Sequence, residues 1–155
     1  MNILATQYTL SRKSLEIYVA GCKGNNGVHC TSCHNPESWE FNQGNTYDNK
    51  YFNKIKQKIS DFDSIIDKIE LFGGELNDQN YNELEVFLRD LKSLGKEIWL
   101  FTRYDLKDCP KFELELCDYI KCGSYIPELS CDNNIQYDIR LATSNQHIYK
   151  KGVDY

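Results

Sequence analysis

Residues 21–39 read GCKGNNGVHCTSCHNPESW, setting Cys22, Cys30 and Cys33 with His29 and His34 among glycines and asparagines. Thiolates are ligands for zinc and for iron–sulfur clusters, and they are also nucleophiles. Cys30-x2-Cys33 is one pair of the kind that structural zinc sites use in twos, and a second pair is missing. Cys22 with His29 or His34 could complete a zinc tetrahedron, but each histidine adjoins a cysteine, which places its ring poorly for sharing one small ion. A nucleophilic cysteine would need His29, His34 or His147 as its base and would leave two thiols without a role. An iron–sulfur cubane on three thiolates leaves one iron open to another ligand, and Cys22-x7-Cys30-x2-Cys33 fits that use. A zinc clip therefore stays as the alternative to the cluster.

These thiols must be positioned by the elements around them. Leu15 to Ala20 reads as a short strand that stops at Gly21, so the first cysteine sits just past a strand's carboxyl end. Tyr47, Tyr51, Phe52, Ile55 and Ile59 recur at helical spacing. Ile65, Ile66 and Ile69 to Phe72 run into Gly73-Gly74-Glu75, a strand ending in a tight turn. Asn77 or Asp78 is placed to cap a helix carrying Tyr81, Leu84, Phe87, Leu88, Leu91 and Leu94 and closed by Gly95. Glu97 to Thr102 is a third strand, Pro110 to Leu116 a short helix, and Asp118 to Cys122 a fourth strand ending at Gly123. The tail from Asn133 is loosely patterned, with one edge strand expected at Ile139 to Thr143. Alternating strands and helices predict an α/β fold with a mainly parallel sheet, whose ligands lie at the carboxyl ends of the strands. Four such ends then gather: the cysteine loop, Gly73-Gly74-Glu75, Thr102-Arg103-Tyr104 and Cys122-Gly123-Ser124.

The chain of 155 residues has the size of one domain, and its net charge of −5 gives no basic surface for nucleic acid. The N-terminus has no apolar core of an export signal and no window is long enough to span a membrane, so a cytoplasmic protein with reduced thiols is expected. Seven cysteines then favour metal or redox chemistry over a disulfide scaffold, with Cys109, Cys117, Cys122 and Cys131 as scattered structural thiols.

Taken together, these residues resemble the radical S-adenosylmethionine (radical SAM) superfamily, most closely the small activating proteins of anaerobic ribonucleotide reductase, which install a glycyl radical. The resemblance runs in order through the cysteine loop with Cys33-His34-Asn35-Pro36-Glu37-Ser38-Trp39, Phe72-Gly73-Gly74-Glu75, Gly95 to Thr102, Gly123 to Leu129 and Ser144-Asn145-Gln146. It implies a small partial (βα) barrel of mainly parallel strands with helices outside, as a single domain over residues 1–155. It also implies a 4Fe–4S cluster on Cys22, Cys30 and Cys33, and S-adenosyl-L-methionine held by Ser32, Gly73, Gly74, Glu75, Thr102 and Arg103. The expected partners are a large glycyl-radical enzyme and an electron donor such as flavodoxin or ferredoxin. The alternative within the same chemistry is modification of another peptide or small molecule. The sequence departs from the family in several places: seven residues separate Cys22 from Cys30 where three are usual, and Ser32, Leu76, Arg103 and Cys122 stand where other residues are common.

Overall fold

Twelve elements carry the chain in a computed structural model that describes residues 1–31 and 33–155. They are β1 (Asn2–Thr9), β2 (Ser14–Val19), β3 (Asn45–Thr46), α1 (Asn49–Asp61), β4 (Lys68–Gly73), α2 (Tyr81–Lys92), β5 (Glu97–Phe101), α3 (Lys111–Leu116), β6 (Tyr119–Cys122), β7 (Ile135–Gln136), β8 (Ile139–Arg140) and β9 (His147–Lys150). The main sheet has the order β3-β1-β2-β4-β5-β6-β9. Its centre, β2-β4-β5-β6, is parallel, and β1, β3 and β9 join antiparallel at the two sides. The fold is thus mixed α/β around a mainly parallel sheet.

Side chains alternate across each strand, and the two faces of this sheet differ in kind. Leu15, Ile17, Val19, Ile69, Leu71, Ile98, Leu100 and Ile120 point to one side, where they form a single core with Ile55 and Ile59 of α1 and Leu84, Phe87, Leu88 and Leu91 of α2. The alternate positions, Glu16, Tyr18, Glu70, Phe72, Trp99, Phe101, Tyr119 and Lys121, make an aromatic and charged face. There Phe72 packs on Phe101 with ring centroids 4.3 Å apart, and Trp99 stacks on Tyr119 at 3.8 Å. Trp99 and Tyr119 belong to a second, smaller core with Leu141 and Ile148 from the tail.

Helices α1 and α2 start where short polar side chains can take up free N–H groups. Asp48 accepts from Tyr51 N at 2.8 Å, and Asn80 accepts from Asn82 N at 3.0 Å and Glu83 N at 3.3 Å. The cap of α2 is therefore Asn80, and neither Asn77 nor Asp78. Residues Leu76–Asp78 form a 3-10 turn of their own, because the Glu75 side chain accepts from Asn77 N. The tail also departs from expectation. The edge strand is His147–Lys150, whereas Ile139–Arg140 pairs with Ile135–Gln136 in a separate two-stranded hairpin. Only Ile148 of β9 is fully buried, so its four residues carry no period to read. Strand β1, absent from the sequence-based expectation, buries Ile3 alone among its eight residues. No described helix is long and apolar enough to cross a membrane.

Candidate functional site

The carboxyl ends of β2, β4, β5 and β6 meet around a cavity of about 210 Å³. Its wall includes Cys22, Cys30 and Cys33 together with Gly73, Gly74, Glu75, Thr102 and Arg103. Eight of the nine residues expected at a cofactor site are thereby brought together, and the ninth, Ser32, lies outside the described residues. Trp39, Phe101, Lys121, Gly123, Tyr125 and Gln146 complete most of the lining.

The cysteine loop is tied at both ends. Gly21 N donates to Ser38 O at 2.7 Å and Cys22 N to Trp39 O at 3.0 Å, so the start of the loop is laced to its end. Between them Asn25 and Val28 exchange backbone hydrogen bonds of 2.8 and 3.0 Å across Asn26 and Gly27, whose φ angles are 51° and 80°. Two successive left-handed residues, Asn then Gly, make a tight hairpin turn. The His29 ring stacks on Trp39, centroids 4.1 Å apart and 8° from parallel, and its Nε2 bonds to Cys22 O at 2.9 Å. That engagement leaves Nδ1 as the ring nitrogen open to a metal. Cys22, Cys30 and Cys33 are free, partly exposed thiols, and burial pushes the Cys22 thiol above its ordinary pKa against a 3.4 Å hydrogen bond from Gly24 N. Among the described residues no three Cys, His, Asp or Glu side chains converge as ligands of one ion.

Packing explains the two glycines at the end of β4. A Cβ on Gly73, which has φ 109°, would lie 2.4 Å from Val19 O, and one on Gly74 would lie 2.2 Å from Gly21 O. Any side chain here would push β4 away from the strand that launches the cysteine loop. Glu75 follows, 3% exposed, with its carboxylate accepting from Thr102 Oγ1 at 2.6 Å, Arg103 N at 2.8 Å and Asn77 N at 3.2 Å. Burial raises its pKa, although all three donors favour the ionised form. Glu75 and Thr102 therefore fasten the end of β4 to the end of β5.

Arg103 is neither solvated nor free. Its Nη2 donates to Asp78 Oδ1 at 3.0 Å and Oδ2 at 3.1 Å, and its Nε stands 3.9 Å from Glu75 Oε2. Asp78 also accepts from Tyr104 OH at 2.7 Å and from Lys23 N at 2.7 Å, so it links β5's end to the residue after Cys22. Gln79 adds a second tie, its Nε2 donating to Ala20 O, Gly21 O and Glu75 O at 3.0–3.1 Å. Sequence reasoning missed Asp78, Gln79, Lys121, Tyr125 and Gln146 as parts of this site. Tyr125 and Gln146 lie in segments that carry the resemblance, and Lys121 is a single charge inside the apolar run Tyr119-Ile120-Lys121-Cys122. Burial lowers its pKa to about 8, opposed by the nearby Cys122, Glu75 and Cys30.

A second cavity of about 550 Å³ adjoins the first and shares Cys30, Cys33, Tyr125 and Gln146 with it. Its far wall comes from the tail, including Ser130, Cys131, Asp132, Arg140 and Leu141. Of the remaining cysteines, Cys109, Cys117 and Cys122 are buried beneath the sheet and Cys131 is partly exposed.

The family model described as a 4Fe-4S single cluster domain matches residues 12–148. Three proteins named anaerobic ribonucleoside-triphosphate reductase-activating protein are similar to the chain. That of Salmonella typhimurium is 27% identical over 120 residues, 73% of this chain and 75% of its own length. That of Vibrio cholerae is 27% identical over 141 residues, 86% and 85% of the two chains. That of Enterobacteria phage T4 is 30% identical over 115 residues, 70% and 69%. No solved structure matches.

Proposed function

Because this chain belongs to the 4Fe-4S single cluster domain family and is kin to anaerobic ribonucleoside-triphosphate reductase-activating proteins, we propose that it is a radical SAM activase for such a reductase. When bound, the cluster and S-adenosylmethionine supply a one-electron cleavage of the sulfonium to methionine and a 5′-deoxyadenosyl radical, which takes a hydrogen atom from a partner glycine and leaves as 5′-deoxyadenosine. The protein's part is to position, to hold charge and to exclude water.

The observation that carries this reading is the gathering of Cys22, Cys30 and Cys33 with Gly73, Gly74, Glu75, Thr102 and Arg103 on one cavity wall. The three thiols would hold three irons. Gly73 and Gly74 let β4 close against Val19 and Gly21, which brings their main chain to the thiol loop where a ligand's ammonium group would lie. Glu75, engaged by Thr102 and Arg103, keeps the wall fixed at that place, and the resemblance gives the Ser32 backbone to the adenine. A cavity of about 210 Å³ is smaller than the roughly 300–1,000 Å³ of small-molecule sites. The ligand's far end and the partner's glycine segment would therefore use the adjoining cavity. The sheet, with edges at β3 and β9, is read as a partial barrel of radical SAM type, one domain over residues 1–155, whose open side a large partner covers. A flavodoxin or ferredoxin would supply the electron, in the cytoplasm.

Anaerobic reconstitution with iron and sulfide tests the proposal. The loaded, reduced protein should convert S-adenosylmethionine to 5′-deoxyadenosine and Cys30→Ala should lose both colour and cleavage; no cleavage by a fully loaded sample would sink it. Electron paramagnetic resonance after mixing with the reductase should show a glycyl radical, and cleavage without that signal would point to another peptide or a small molecule as substrate. One zinc per chain with iron absent would restore the non-enzymatic zinc module.

A further inference from the structure

Two cations line the cavity that contains the three thiols, and they differ in what already surrounds them. Arg103 is bound to Asp78 and lies next to Glu75, so its charge is matched by acids of the protein itself. Lys121 is matched by none. Among the described residues it takes part in no ion pair within 4.0 Å, and the hydrogen bond it donates goes to a neutral acceptor, Gly123 O, at 2.8 Å. An ammonium has three N–H donors, so two are left over in a largely buried position. Its strand alternation turns it toward the helix-free face with Phe101, into the cavity wall.

A buried charge with no partner is costly, and here the protein maintains one beside a site meant for a ligand. The nearby Glu75 favours the charge only from a distance and makes no contact with it, its carboxylate being taken up by Thr102, Arg103 N and Asn77 N. Thiolates are weak hydrogen-bond acceptors and donate their charge to iron once ligated, whereas carboxylate oxygens form strong charge-assisted bonds.

We propose that Lys121 binds the carboxylate of S-adenosylmethionine and orients its amino-acid end toward the thiols. This rests on the radical SAM reading. Arg103 is instead a positioning residue, holding Asp78 and through it the start of the cysteine loop.

The test compares two ligands on the cluster-loaded protein, kept oxidised so that neither is cleaved: S-adenosylmethionine and its decarboxylated analogue, with binding measured by anaerobic calorimetry. Lys121→Met should weaken S-adenosylmethionine by about tenfold to a hundredfold, as for a lost hydrogen bond to a charged group. It should leave the analogue within about twofold. Lys121→Gln, which keeps a donor for Gly123 O, should behave the same way and serves if the Met variant does not load its cluster. Arg103→Met should change both ligands alike. Equal losses for both ligands in the Lys121 variants, or none for S-adenosylmethionine, would overturn the proposal while leaving the radical SAM reading intact. A loaded wild-type protein that binds neither ligand would overturn both.

Discussion

Asp78 receives the Lys23 main chain, the Tyr104 hydroxyl and the Arg103 guanidinium while only 4% exposed. Removing one side of a buried ion pair leaves the other side uncompensated. Asp78→Ala should therefore cost about 3 kcal/mol in denaturant unfolding of the cluster-free protein, and should lower iron retention because Lys23 adjoins Cys22. Glu113 is a different kind of buried acid. It is fully buried, neither of its oxygens finds a hydrogen-bond partner among the described residues, and burial, with Cys109 adding to it, raises its pKa from 4.5 to about 9. A raised folded pKa means that the group's favourable contribution is complete below pH 4.5 and is lost as pH rises toward 9. Wild-type stability should fall across that window. Glu113→Gln should flatten the slope and melt several degrees higher than wild type near pH 8.5, since ~1 kcal/mol moves a domain of this size by about 3–4 °C. Neither acid was legible as functional in the sequence, because what singles them out is the company they keep in space: Asp78 meets Arg103 25 residues away.

Strands β2 and β4 are held in parallel register from Ser14↔Lys68 to Val19↔Gly73, and the glycine pair is the condition for that register to continue into the loop. Gly74→Ala puts a methyl group 2.2 Å from Gly21 O, backbone that cannot swing aside. Overpacking of this sort should destabilise by about 1–3 kcal/mol and depress cluster loading, measured by thermal unfolding and by iron content after reconstitution. The sequence disclosed β2, β4 and β6 through apolar runs that stop at or next to a glycine, β5 through an apolar run that follows Gly95, and α1 and α2 through two or more turns of periodic apolar residues. It concealed β1, β3 and β9, which lie at the sides of the sheet. A strand that buries one residue, as β1 buries Ile3 and β9 buries Ile148, has no alternation to detect. The same limit explains why Ile139 to Thr143 was expected as the edge strand: its apolar content is higher, but Leu141 serves the small core under Trp99 and Tyr119.

Across the whole molecule, one topological fact makes much of the site legible. Parallel strands joined through helices bring their carboxyl ends to one side, so residues from Cys22 to Arg103 meet although 81 positions separate them. What the order of strands could not convey is which polar groups remain unpartnered after the chain has folded, and that is why Arg103 was expected to meet the ligand and Lys121 was overlooked. The helices all sit on one face of the sheet, and the other face carries the aromatic column Tyr18, Phe72, Phe101 and Trp99. The cavity opens beside Phe101 and Lys121 of that face, and its adjoining chamber is walled in part by Leu141 of the tail that covers Trp99 and Tyr119.

The Asn25–Val28 hairpin alters how the distance from Cys22 to Cys30 should be counted. Seven residues intervene, four of them form the closed excursion, and the three left over, Lys23, Gly24 and His29, equal the spacing usual in the family that this loop resembles. The chain leaves and re-enters at nearly the same point: a Cβ on Gly24 would stand 2.9 Å from His29 N. The extra length is thus an outgrowth on the frame proposed to hold the cluster, with Val28 exposed at its end. Excising residues 25–28 should leave cluster loading and S-adenosylmethionine cleavage within about twofold of the parent, as read by iron content and 5′-deoxyadenosine yield. A loss confined to the affinity for the proposed reductase partner would assign this four-residue turn to partner binding.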